Sequence, residues 1–344
     1  RPPRSTPLYS SAASDVYKRQ EGLKAAFDVD YVGIASMSEY AEKMIITIAS
    51  DTIPGEYYLY DTIKNTVTFL GSTKPWIDPK TMSPMQPVNF EARDGETIYG
   101  FLTVPLDSDG KNLPLIINPH GGPFGIQDRW GFNPETQYFA NQGYAVMQIN
   151  FRGSGGYGKR YEKIGYKRWG LEMQDDISDG VQWAINQGIA DKDHVCIYGA
   201  SYGGYATMAG ITLTPELYSC AVNYVGIWDL EMLYKQDGRW DDRLGRWFRN
   251  HVIDIKEDKE QLRKTSPSYH IDKIKAPLFI VHGRKDYNVR IEQAETLMDA
   301  LDEKDIPYEV MIKKEEGHGF VLEENRIELY QKMGEFFREN LAKN

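Results

Sequence analysis

The chain of 344 residues has little cysteine, no excess of positive charge and no long apolar run. Two cysteines, Cys196 and Cys220, are too few for a disulfide-built scaffold. Cys196 falls in the apolar run Val195-Cys196-Ile197-Tyr198, so the pattern predicts a reduced, buried thiol. A formal net charge of -10 argues against nucleic acid as partner, because neutralising phosphates takes clustered Lys and Arg. No segment approaches the roughly 18 apolar residues of a membrane span. No His, Cys and carboxylate cluster has metal-ligand spacing such as H-E-x-x-H, so neither a metal nor an organic cofactor is expected. What remains, 41% hydrophobic and 26% charged, is a globular chain with room for one large or two smaller domains.

The chemistry announces itself at Gly199-Ala200-Ser201-Tyr202-Gly203. This G-x-S-x-G element has an apolar strand before it and a helix-forming run, Tyr205 to Ala209, after it. The arrangement presents a serine hydroxyl on a tight strand-to-helix turn, where it acts as a nucleophile. Such a serine needs a base, an acid and oxyanion donors, and each has a candidate. His318 lies between Gly317 and Gly319, in a loop after the strand-like Tyr308 to Ile312. Asp286 follows the strand Leu278 to His282. The order Ser201, Asp286, His318 is that of α/β-hydrolases and differs from the chymotrypsin and subtilisin orders. His120-Gly121-Gly122-Pro123 follows Leu115 to Asn118, and that fold takes one oxyanion N–H from a loop of this kind. The other comes from Tyr202, the residue after the nucleophile.

Competing residues are fewer. His282 is the alternative base, but its place at a strand end suits a supporting role. Asp229, after the strand Ala221 to Val225, is the alternative acid; it follows the first strand after the nucleophile, whereas the acid loop usually follows the next. Gly153-Ser154-Gly155-Gly156-Tyr157-Gly158 matches G-x-G-x-x-G. A dinucleotide site would need this loop to open a helix directly, with an acid at the end of the next strand. Polar Lys159 to Glu162 comes next instead, and Asp175, Asp176 and Asp179 fall on a helix marked by Met173, Ile177, Val181 and Ala184.

Residues 1-27 read as a non-native or disordered segment. Arg1 to Gln20 is rich in Pro, Ser and Arg, lacks the apolar core of a signal peptide, and looks like translated adapter sequence, so the true N-terminus is expected to be missing. A soluble protein is expected, cytoplasmic by preference, with a periplasmic or secreted one left open by that gap. Residues 28-85 hold about four short strands and a proline-marked linker, the content of one propeller blade. From residue 86 onward, strands and helices alternate as in a mainly parallel α/β sheet. Helical faces at Ile291, Ala294, Met298 and Leu301, and at Tyr330, Met333, Phe337 and Leu341, support this.

The segments Phe90 to Gly95, Pro119 to Pro123, Asn150 to Ser154, Gly199 to Gly204, Leu262 to Pro267 and Glu316 to Phe320 together resemble the prolyl oligopeptidase family of serine peptidases, most closely its acylaminoacyl-peptidase-like branch. The resemblance covers residues from about 86 to 340 and the blade-like piece before them. It implies an α/β-hydrolase domain preceded by a propeller remnant. It also implies a Ser201-Asp286-His318 triad with oxyanion donors at Gly122 and Tyr202, and short peptides as substrates. The same machinery in a carboxylesterase, or a catalytically silent binding scaffold, are the other readings. Where the family often has Asp-x-Arg-Val, this chain has Asp286-Tyr287-Asn288-Val289, with Arg290 next. Asn288 and Arg290 are therefore the candidates for holding the substrate backbone. The resemblance further suggests an apolar pocket among Trp228, Tyr234, Trp240, Trp247 and Phe248, with ordinary core packing as the alternative for each. Self-association into a homo-oligomer is expected from unpaired blade edges.

Overall fold

The computed structural model describes residues 18–27, 29, 31–237 and 242–342. They divide into two compact units, one up to Met85 with Trp130–Gln137, the other Gln86–Arg129 with Tyr138 onward.

The first unit is a helix α1 (18–27) and an antiparallel meander of β1 (Val32–Met37), β2 (Lys43–Ile48), β3 (Glu56–Asp61) and β4 (Thr66–Ser72). Met44, Ile46 and Ile48 alternate along β2 and are buried on one face with Val32 and Tyr60. Helix α1 departs from the disorder expected of residues 1-27. Leu23 and Phe27, four apart, share one helix face; Leu23 joins this small core and the Phe27 ring lies 4.8 Å from that of Tyr58. Edge strand β4 exposes Val67, Phe69 and Leu70. Residues 130–137, assigned to the second domain from sequence, belong here because Gln137 clamps the chain: Ser83 N–H donates to its Oε1 at 2.8 Å, and its Nε2 donates to Ser83 O at 2.7 Å.

The second unit is an eight-stranded sheet in the order β12-β11-β10-β9-β7-β8-β6-β5. Its strands are β5 (Met85–Glu91), β6 (Thr97–Thr103), β7 (Leu113–Ile117), β8 (Ala145–Asn150), β9 (Ala190–Ala200), β10 (Cys220–Tyr224), β11 (Leu278–Gly283) and β12 (Tyr308–Lys313). From β8 to β12 neighbouring strands are parallel, while β6 meets β8 antiparallel. The helices are α2 (Pro134–Ala140), α3 (Lys159–Ile164), α4 (Glu172–Asn186), α5 (Tyr202–Leu213), α6 (Leu230–Asp237), α7 (Asp242–His251), α8 (Lys259–Thr265), α9 (Glu292–Asp302) and α10 (Glu323–Leu341).

Side chains alternate across the sheet, so one sequence feeds two cores. On β9, Val195 and Ile197 join α4, α5 and α9 residues in the larger core, while Cys196 and Tyr198 join Leu329, Met333 and Phe337 of α10 in the smaller. This double coverage explains why β8 and β11 are buried along their whole length. Cys196 and Cys220 are directly opposite on β9 and β10, with Cα atoms 4.6 Å apart, and form a disulfide instead of the reduced thiols expected. Strand register, invisible in the sequence spacing, brings them together. Among the described residues no helix is long and apolar enough to cross a membrane.

Candidate active site

The site gathers at the C-terminal ends of β9, β10, β11 and β12 and the loop after β7. Ser201 sits between β9 and α5 with φ 60° and ψ -119°, a left-handed conformation that a side chain adopts only under constraint. The constraint comes from glycines that let backbones touch. A Cβ on Gly199 would run into the Gly203 carbonyl, and one on Gly203 into the Pro119 carbonyl. A Cβ on Gly204 would lie 2.5 Å from Gly226 Cα. Ser201 N–H donates to Tyr224 O at 3.1 Å, tying the turn to the end of β10.

The His120-Gly121-Gly122-Pro123 loop passes beside this turn. A Cβ on Gly121 would stand 3.1 Å from Ala200 O and 3.4 Å from Ser201 Cβ, so the loop backbone is in contact with the serine. Gly122 has φ +117°, which glycine permits freely. His120 is turned away from the chemistry: its ring stacks on Phe151 at 4.4 Å and Nε2 is 2.8 Å from Ser154 Oγ. Burial pushes its pKa down to about 4, so it is neutral. The G-x-G-x-x-G segment supports this loop: Gly125 N–H donates to Gly153 O at 3.2 Å, and Gly155 N–H to Ile126 O at 2.8 Å. Arg152 anchors that segment with paired hydrogen bonds to the wholly buried Asp176 and to Asp94.

His318 and Asp286 are brought together. His318 Nδ1 lies 2.7 Å from Asp286 Oδ2, and the aspartate side chain is fully buried. Asp286 Oδ1 accepts the N–H groups of Asn288 and Val289, each at 2.9 Å. With Asp286 as acceptor, Nδ1 of His318 carries the proton and Nε2 is left as acceptor. No hydrogen bond joins Ser201 Oγ to His318 among the described residues, a contact that is often long without substrate. His282 is buried behind the pair, with Nε2 2.8 Å from Val289 O and 3.6 Å from Asp286 Oδ2; burial lowers its pKa. Asp229 instead caps α6, accepting Met232 N–H at 2.8 Å.

Two residues that sequence reasoning passed over hold the His318 loop. Glu316 is fully buried and accepts from Val321 N–H (2.9 Å), Leu322 N–H (3.0 Å) and Asn325 Nδ2 (2.8 Å). Burial pushes its pKa up, but these donors, Val321 foremost, outweigh it and leave a net lowering. Tyr224 takes the Phe320 N–H on its hydroxyl oxygen. The Glu316 bonds close the loop on itself and on the start of α10, whereas the Tyr224 bond crosses from β10, 96 residues away in the chain.

The expected pocket residues scatter. Trp228 and Phe248 are core residues, and Trp228 Nε1 is spent on Thr296 Oγ1 at 3.0 Å. Tyr234 accepts from Arg249 at 3.1 Å. Trp247 is exposed, stacked on His251 at 5.0 Å and 6.2 Å from Phe124, two residues beyond Gly122. Trp240 lies outside the described residues. Asn288 is exposed and contributes its backbone to Asp286, and Arg290 is half-buried.

The chain is similar to known peptidases. The chain is 36% identical over 290 residues to dipeptidyl aminopeptidase BIII of Pseudoxanthomonas mexicana, covering 82% of this chain and 42% of that protein. It is 29% identical over 219 residues to the acylamino-acid-releasing enzyme of Arabidopsis thaliana, covering 61% of this chain and 28% of that one. The structure of Pyrococcus horikoshii acylaminoacyl peptidase superposes with a TM-score of 0.76 at 27% identity, over 90% of this chain and 50% of that chain. The chain thus spans half or less of the length of these relatives. The pattern of the prolyl oligopeptidase family matches residues 130–344, and the chain, with its α/β-hydrolase sheet, belongs to that family.

Proposed function

We propose that this chain carries the catalytic unit of a serine-type peptidase that hydrolyses peptide bonds of short peptides. The observation that carries the reading is the buried Asp286 carboxylate 2.7 Å from His318 Nδ1, at the same end of the sheet as a serine held in a left-handed turn. Ser201 Oγ attacks the substrate carbonyl carbon as His318 Nε2 takes its proton, and Asp286 holds the imidazole tautomer and stabilises its cation. The N–H groups of Gly122 and Tyr202 receive the oxyanion. The tetrahedral intermediate collapses by breaking the C–N bond, with His318 returning its proton to the leaving amine. Water, deprotonated by the same ring, then releases the acyl group and restores Ser201.

An apolar substrate side chain is read as resting against the exposed Trp247, near the loop that carries Gly122. The β1–β4 meander is read as one blade of a β-propeller, in keeping with a domain division near residue 85. The relatives' names, a dipeptidyl aminopeptidase and an acylamino-acid-releasing enzyme, direct the test to peptides with free and with blocked N-termini.

Labelling with a fluorophosphonate, followed by peptide mapping, is expected to place the adduct on Ser201. A panel of dipeptidyl, acyl-aminoacyl and simple ester substrates is expected to show amide cleavage. A folded chain that takes no label on Ser201 overturns the reading; cleavage of esters alone converts it to a carboxylesterase.

A further inference from the structure

We propose that Tyr224 is a positioning residue that couples the nucleophile turn to the base loop, its backbone carbonyl serving one and its phenol oxygen the other. The proposal rests on the reading of Ser201 and His318 given above. Tyr224 ends β10, opposite Ala200 of β9 and Val281 of β11, so it stands between the strand that delivers the serine and the strand that delivers the acid. Its carbonyl accepts Ser201 N–H at 3.1 Å. Its hydroxyl accepts the N–H of Phe320, two residues beyond His318, and its ring meets Phe320 edge-on at 5.3 Å and 82°.

The base loop needs such an anchor. His318 is the tip of a minimal hairpin in which Gly319 N–H donates to Gly317 O at 2.9 Å, and Gly319 has φ +111°. A side chain between two glycines has little local restraint, so its direction is set by what grips the loop on either side. Glu316 grips before the histidine and Tyr224 after it. Strain next door indicates that the position of Tyr224 is enforced. Val225, a β-branched residue, is held at φ 44°, with its N–H on Val281 O at 2.8 Å. Such a conformation persists only where the surroundings over-determine it.

Serving both partners from one residue has a mechanical effect. If the end of β10 shifts, the serine and the histidine loop shift together, and the distance the proton must cross is conserved. Misplacement by about 1 Å costs on the order of a hundredfold in rate, so a shared anchor protects the step that tolerates least error.

Tyr224→Phe keeps the ring and the strand and deletes the hydroxyl that accepts Phe320 N–H. It is expected to lower kcat about tenfold, with KM within about twofold, because a loosened base costs the chemical step and not binding. The rate at which a fluorophosphonate captures Ser201 is expected to fall by the same factor. The fraction labelled at completion counts correctly folded molecules, so a loss of fold is separated from a loss of positioning. Capture at the wild-type rate, or a kcat that falls only in proportion to the labelled fraction, overturns the proposal. If the wild-type chain is not captured on Ser201, the reading of the site fails and the role of Tyr224 fails with it.

Discussion

Ser201 and His318 are held by opposite means. The serine is set by backbone: a left-handed φ, and glycines at 199, 203 and 204 whose neighbours leave no space for a Cβ. The histidine is set by side chains: Asp286 on its ring, Glu316 before it and Tyr224 after it. Of the two glycines flanking it, Gly319 is favoured by its φ of +111°, but Gly317 is under no such demand. A Cβ on Gly317 would find its nearest neighbour at 3.5 Å, an ordinary contact, so that glycine is not required by crowding. Geometry held by backbone concentrates its requirements in adjacent residues. Geometry held by side chains spreads them over positions far apart in the chain.

The contrast is sharpest where it vanishes, at the chemistry itself. Ser201→Ala is expected to lower kcat by roughly 10⁴ to 10⁶ with the fold intact, and His318→Ala to be nearly as severe, because triad members act as a unit. Steady-state rates corrected for contaminating activity measure this. More than a tenth of wild-type activity in Ser201→Ala removes that residue from the role.

The glycines test the two modes directly. Gly203→Ala drives a methyl group into the Pro119 carbonyl and is expected to cost about 1–3 kcal/mol, with loss of labelling at Ser201. Gly317→Ala is expected to change stability by no more than about 1 kcal/mol, in either direction. Urea unfolding followed by tryptophan fluorescence compares them, and equal costs would erase the distinction.

The side-chain brace is tested through its charge. Glu316→Gln keeps the shape but loses charge-assisted acceptance of three donors, and is expected to cost about 1–3 kcal/mol at pH 7. The folded-state pKa of Glu316 is lowered, so its contribution is full above the unfolded value of about 4.3 and is lost as pH falls through the folded value. The stability gap between wild type and variant should therefore narrow below about pH 4. A gap that is constant from pH 7 to pH 3 would show that an ionised carboxylate is not what holds the loop.

The same division explains what was legible in the sequence. The G-x-S-x-G turn, the His-Gly-Gly-Pro loop and the helical face of α4 are written in neighbouring residues, and periodicity or motif reads them directly. Tyr224 was not legible, because its bond to Phe320 spans 96 residues and leaves no local trace; Glu316 lies within nine residues of its partners, but a carboxylate accepting backbone N–H groups in a loop has no pattern of its own. The Cys196–Cys220 pairing depended on strand register, which spacing does not encode. Aromatic content after the nucleophile helix did not separate Trp247, exposed beside Phe124, from Trp228 and Phe248, which fill the core. Helix α1 was masked by the polar composition around it, with Leu23 and Phe27 as its apolar marks.

Strand β12 lies at the edge of its sheet, paired with β11 alone, and the loop carrying His318 follows it. An edge strand is held by a single ladder of hydrogen bonds, and local opening starts where such restraint is least. On the proposed reading, opening of β12 would carry the base away from a serine that stays in place. Such an opened chain would keep the Ser201 turn and the larger core, which contains no residue of β12 among its fully buried members. Hydrolysis, on that reading, would be lost before the larger core is.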